Sequence, residues 1–221
     1  MKDLGLRIGL VVMCAAIAAQ ADTLPPWARG SDGTTYSVWN FITNNLNPAP
    51  DVVYNPYGTA SASINYNPPF GTGWYDTNSN YGSVQGFWDI ANGSITLTVP
   101  IAPPNGSYPE TNQIQITYWS DISAAPTLSV ANGTQIGSTV TIPGVNPSGP
   151  GQWFTDVTTW LISPGTTPDI ITILGDQSTG SVIDQVVVDT LTVPEPTTIS
   201  LVALGVAAFA GAFFRRRSSS R

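Results

Sequence analysis

SVQGFWDI (83–90) and SITLTVPI (94–101) stand on either side of Asn92-Gly93, and this stretch decides the fold class. Both flanks are rich in β-branched and aromatic residues. Asn-Gly is the pair best suited to the positive φ angles of a tight type I′ turn. The stretch therefore predicts two strands joined as a hairpin. Working outward, QIQITYW (113–119) alternates, with Ile114, Ile116 and Tyr118 on one face. A second Asn-Gly, Asn132-Gly133, lies between strand-like runs at 127–131 and 135–142 and predicts a second hairpin. TYSVWNFI (35–42) and the runs at 152–162, 169–174 and 181–192 bring the total to about nine strands, with turn signals spaced as in sandwiches. No sustained 3.6-residue periodicity competes with this reading. The expectation is an all-β protein, a single β-sandwich over 22–192. Asn92, Asn105 and Asn132 each begin an Asn-Gly-Ser/Thr triplet. These match glycosylation acceptors, but two of them fall between strands, and they are read as turns.

The chain has 221 residues, with 7 Lys+Arg, 14 Asp+Glu and no His. The basic residues crowd the ends. Between 22 and 193 only Arg29 remains against 12 acids, a formal charge of −11. One arginine cannot build a surface for a phosphate backbone, so nucleic-acid binding is excluded. Without His, Lys or Cys in this region, nucleophilic triads, Schiff bases and His metal sites are excluded too. Paired carboxylates, as in glycoside hydrolysis, are the remaining enzymatic option. No local pattern singles out a pair, and the expected domain is not an enzyme.

The first 21 residues read as a signal peptide. Lys2 and Arg7 precede an apolar run at 8–19, and Ala19-Gln20-Ala21 offers a small-x-small cleavage site. The competing reading is an uncleaved anchor. Cys14 sits within the apolar run after Met13, a poor context for lipidation, so cleavage would leave a mature domain without a thiol. The C-terminus has three parts in order. Pro194-Glu195-Pro196 is followed by an uncharged apolar run within 197–214, and then by Arg215, Arg216 and Arg217 in a basic end at 215–221. As a helix, 197–214 would be roughly 27 Å long, close to the thickness of a hydrocarbon core. The arginines place its far end in the cytoplasm.

That order, Pro-Glu-Pro, apolar helix, arginine cluster, resembles the PEP-CTERM sorting domain of Gram-negative bacteria and covers 193–221. The resemblance implies recognition of Pro194, Glu195 and Pro196 by an integral-membrane exosortase. It further implies transient anchoring in the inner membrane, then delivery to the cell surface or an exopolysaccharide matrix. The alternative is a plain single-pass anchor. The last strand, SVIDQVVVD (181–189), resembles the closing strand of galactose-binding-like jelly rolls, with Gln185 where those runs carry Asn. That likeness implies a two-sheet jelly roll, often with structural calcium and sometimes with bound sugar.

Two candidate sites lie in the exported domain. Asp32, Asp176, Asp184 and Asp189 lie near the first and last strands and could supply oxygen to a structural Ca²⁺, relieving self-repulsion; the competing reading is ordinary solvated loop acids. Trp74 and Tyr75 lie between Gly71-Thr72-Gly73 and a run of Asp and Asn, an aromatic platform for a sugar ring if the loop leaves them exposed, or a plug of one sandwich end if it folds back. Trp153 and Trp160, an odd number apart, should face opposite sides of their strand. The leading functional reading is an exosortase-sorted surface or biofilm-matrix protein with a structural, adhesive sandwich. The alternatives are a carbohydrate-binding module for exopolysaccharide and a small carboxylate-dependent glycan-active enzyme.

Overall fold

The structure, a computed structural model, describes residues 22–68, 71–77, 81, 84–101, 108–120, 125–144, 151–165 and 168–192. The signal peptide with Cys14, and the tail with Pro194, Glu195, Pro196, the apolar run and Arg215–Arg217, lie outside the described residues. Among the described residues, no helix is long and apolar enough to cross a membrane.

The described chain is all-β. Its strands are β1 (Thr34–Trp39), β2 (Val52–Tyr54), β3 (Ser61–Asn65), β4 (Gly73–Thr77), β5 (Gln85–Ala91), β6 (Ser94–Val99), β7 (Glu110–Ser120), β8 (Thr127–Val130), β9 (Gly133–Pro143), β10 (Gln152–Ile162), β11 (Asp169–Leu174) and β12 (Ser181–Thr192). They form two antiparallel sheets. The larger runs β2-β1-β12-β7-β10-β9, with β5 also on β12 and β4 on β5. The smaller runs β3-β6-β11-β8. Along one side of β12, Ser181–Ile183 pair with β5, and Val186–Leu191 pair with β1.

Period-two alternation places the core between the sheets. Ile114, Ile116 and Tyr118 of β7 do share one face, as the sequence pattern predicts, and meet Ile95, Leu97, Val99, Ile171 and Ile173 from the smaller sheet. Most of these are fully buried, and each buried aliphatic side chain contributes about 1.5–3 kcal/mol. The outer face of the larger sheet is also covered. Phe87, Trp119, Trp153 and Val182 form a second cluster with Tyr75, Tyr81 and Val84. Trp160 belongs to the inner core and Trp153 to this outer cluster, so the two rings lie on opposite faces.

The two Asn-Gly hairpins are not formed. β5 and β6 lie in different sheets, and so do β8 and β9. Asn92-Gly93 and Asn132-Gly133 instead turn the chain from one sheet to the other. At the first corner Ala91 has φ 49° and the Gly93 amide donates to the Ile90 carbonyl at 2.8 Å. A Cβ on Gly93 would strike the Asn65 carbonyl oxygen. Asn132 takes φ 58° at the second corner. Turn chemistry fixes where a chain bends but not which strand it then pairs with. Here the corner keeps Ile90 and Ile95 in one core while each strand finds a distant partner, β12 for one and β11 for the other.

The segment before β1 straps the outer face of the larger sheet. Thr23 exchanges hydrogen bonds with β7: its amide donates to Gln115 Oε1, and its carbonyl accepts from Gln113 and Gln115, all at 2.8 Å. β9 does the opposite. It is the outermost strand, carries no charged residue, and is exposed along nearly its whole length, including Ile136 and Val140.

Candidate functional site

Arg29, the one cation between the two ends, lies on the strap over β12. It grips Asp189 with Nε at 2.5 Å and a terminal nitrogen at 2.7 Å, and a second terminal nitrogen meets Asp22 at 2.5 Å. Burial pushes the Asp189 carboxyl up, and the guanidinium pulls it back. The same carboxylate is the main reason the Arg29 guanidinium is held above its ordinary value. The two tendencies oppose each other at Asp189. The bidentate geometry decides for an ionised pair, because two charge-assisted bonds are made at once.

This pairing separates the four aspartates proposed for calcium. Asp32 sits in an exposed turn just beyond the Thr34–Leu191 pairing, whereas Asp176 lies in the turn before Ser181. They are divided by the length of β12, roughly 30 Å. Asp189 is committed to Arg29 on the outer face. Asp176 accepts hydrogen bonds from Ser178 and Thr179, which hold its carboxyl well below the usual carboxylate range. Asp184, at the irregularity in β12, is pushed up to about 7 by desolvation. The structure does not bring the four together. Among the described residues, no group of three or more His, Cys, Asp or Glu side chains is placed to hold a metal.

Trp74 and Tyr75 also differ from expectation in their placement. They lie in strand β4, opposite Trp88 and Phe87, rather than in a loop. Successive strand residues face opposite ways. Trp74 packs on the inner core and donates its indole N–H to the Phe41 carbonyl at 2.7 Å. Tyr75 stacks on Phe87 in the outer cluster, with centroids 5.1 Å apart. Both rings are half-buried. They cannot form one flat platform, since they belong to different faces of the sheet.

A polar cluster that sequence reasoning missed lies at one end of the sandwich interior. Glu110 and Asn112 continue the inner face of β7, and Asp169 begins the inner face of β11. Asn112 donates to Asp169 at 2.6 Å across the gap between the sheets. Thr35 and Thr190 share a hydrogen bond at 2.8 Å beside them. Burial raises Glu110, with the Asp169 charge adding to the rise and Thr190 opposing it. Burial also raises Asp169, with Asn112 opposing. Glu110 Oε1, Asn112 Oδ1 and Thr192 Oγ1 are buried and find no partner among the described residues. An unsatisfied buried polar group costs about 1–3 kcal/mol, and more if charged. A cavity of about 20 Å³ adjoins the two carboxylates. That is space on the scale of a single water, far too small for a sugar ring. The signal was present in the sequence: extending the 114-116-118 face back by two and four residues reaches Asn112 and Glu110.

The described chain is thus a two-sheet all-β domain whose last strand runs straight into the C-terminal tail. That tail, residues 192–217, matches the family model described as the PEP-CTERM protein-sorting motif. The match is consistent with an exosortase substrate and implies export, with membrane-anchored transit before processing. No protein of established function and no solved structure matches the chain at a significant level. The jelly-roll likeness of β12 therefore has no support beyond the two-sheet architecture.

Proposed function

We propose that this protein is delivered by exosortase sorting to the surface or extracellular matrix of a Gram-negative bacterium, where its sandwich is a non-enzymatic structural and adhesive unit. The observation that carries the reading is the sorting motif at 192–217, which begins on the last residue of β12. The adhesive role is supported by β9. Thr134, Thr139, Thr141, Ile136 and Val140 form an exposed, uncharged flange on a domain of charge −11. A strongly anionic surface repels anionic polymers, and this flange is a place where such a polymer can approach closely.

The test has two arms. Deleting the exosortase should retain the protein in the inner membrane. Separately, Ile136→Asp with Val140→Asp should release the protein from the matrix without lowering its unfolding temperature, since both side chains are exposed. Unchanged surface delivery in the first arm would leave a plain membrane anchor as the better reading. Unchanged matrix retention in the second would remove β9 from the adhesive role.

A further inference from the structure

The interior of the sandwich changes character along its length. β7 carries Ile114, Ile116 and Tyr118 into the apolar core, but the same face continues to Asn112 and Glu110. β12 carries Val186 and Val188 into the core and continues to Thr190 and Thr192. Thr192 stands directly across from Glu110 in the strand register, and Asp169 enters from the opposite sheet. Two carboxylates and two neutral oxygens therefore meet in a region that is 4 % exposed or less.

Nothing in the exported region supplies a positive charge here. Arg29 is its sole Lys or Arg, and Arg29 is engaged with Asp22 and Asp189 on the other side of the larger sheet. Three oxygens, Glu110 Oε1, Asn112 Oδ1 and Thr192 Oγ1, have no hydrogen-bond partner among the described residues. The Asn112 orientation is informative, because its amide nitrogen is spent on Asp169 and its oxygen is left over. Buried oxygens left without a partner beside two carboxylates are what a bound cation leaves when it is taken away.

We infer that Glu110 and Asp169 anchor a structural Ca²⁺ at this end of the sandwich, with Asn112 Oδ1 and Thr192 Oγ1 as neutral ligands. The donors are all oxygen, which selects a hard cation over zinc or copper. Two carboxylates balance a divalent charge. The adjoining cavity, about 20 Å³, lies beside Glu110 and Asp169 and has room for a water to add to the ligand set. Mg²⁺ gives up its waters reluctantly, whereas Ca²⁺ accepts irregular protein cages. The site uses none of Asp32, Asp176, Asp184 or Asp189. Because Thr192 is also the first residue of the sorting motif, a bound ion would fix the end of β12 at the point where the processed segment leaves the domain.

The test is Ca²⁺ binding to the full chain purified in detergent and stripped with a chelator. Equilibrium dialysis with radioactive Ca²⁺ should find one ion per chain, and added Ca²⁺ should raise the unfolding temperature while the same concentration of Mg²⁺ leaves it nearly unchanged. Glu110→Gln and Asp169→Asn should each weaken binding at least tenfold and abolish the thermal response. Asp176→Asn and Asp184→Asn should retain both. Should either anchor variant fail to fold, Thr192→Val, which removes only a neutral ligand, should weaken Ca²⁺ several-fold. The inference is overturned if the wild-type chain binds no Ca²⁺ at millimolar concentration, or if binding survives in Glu110→Gln and Asp169→Asn.

Discussion

Replacing Arg29 with Met keeps most of the side-chain stem and removes the charge that holds Asp189. Asp189 is fully buried, and its two bonds to Arg29 are 2.5 and 2.7 Å long. Removing one partner of a buried pair costs about 3–5 kcal/mol, mostly because the other charge stays buried alone. Arg29 is itself partly exposed, so water can reach the site and the lower end, ~3 kcal/mol, is expected. For a domain of this size each kcal/mol moves the unfolding temperature by about 2–4 °C, giving a drop of roughly 6–12 °C at neutral pH. The pH dependence carries a definite sign. Without Arg29, burial and the Asp22 charge act on Asp189 unopposed, so its folded pKa rises well above the unfolded value of about 3.9. The penalty is full above the folded pKa, shrinks as pH falls through it, and vanishes below the unfolded one. The deficit of Arg29→Met relative to wild type should therefore narrow from pH 7 to pH 4. Thermal unfolding followed by circular dichroism measures it, and Arg29→Met with Asp189→Asn should recover most of the loss. A deficit under about 1 kcal/mol, one that widens in acid, or a double variant no better than the single would each refute the reasoning.

Three further outcomes follow from other parts of the structure. Trp74→Phe should cost about 1 kcal/mol through the lost bond to the Phe41 carbonyl, and Trp74→Ala about 2–4 kcal/mol through lost packing; a Trp74→Ala chain with unaltered unfolding temperature would return the ring to the surface and revive a sugar platform there. Gly93→Ala should destabilise by about 1–3 kcal/mol or more, because its Cβ meets backbone at the corner between sheets, whereas Val140→Ala on exposed β9 should stay within about 0.5 kcal/mol; denaturant midpoints compare the two. Asp184→Asn should stabilise the domain above pH 7 and not below pH 4, since burial holds the folded carboxyl at about 7 and wild-type stability is lost as pH rises between those values; a pH-independent difference would count against a buried, titrating Asp184.

What the sequence made legible was local. Alternation over 113–119 and the β-rich runs located nine of the strands, and the face holding Ile114, Ile116 and Tyr118 was readable residue by residue. β2, β3 and β4 were not seen, because they are three to five residues long and sit among Pro, Gly and Asn. Ala62 and Ile64, the two inward residues of β3, are too slight a pattern to stand out. Missing β4 is what left Trp74 and Tyr75 in an imagined loop. Pairing was the other loss. Asn92-Gly93 and Asn132-Gly133 correctly marked bends, but β5 pairs with β4 before it and with the distant β12, and β8 pairs with the distant β11, and no local signal names these partners. The buried carboxylates were hidden for a different reason. An acid at the end of a strand usually reads as solvated, and only the meeting of β7 with β11 across the sandwich puts Glu110 and Asp169 inside together.

The claim on which the rest depends is that the domain reaches the outside by losing both ends. The intact mass of the protein recovered from the extracellular fraction tests it most directly. The expected species begins at Asp22 and ends close to Pro194-Glu195-Pro196, with the apolar run and Arg215–Arg217 gone. In cells carrying Glu195→Ala, that species should disappear and a longer form should accumulate in the inner membrane. An extracellular species that still extends to Arg221, or full processing of the Glu195→Ala chain, would contradict it.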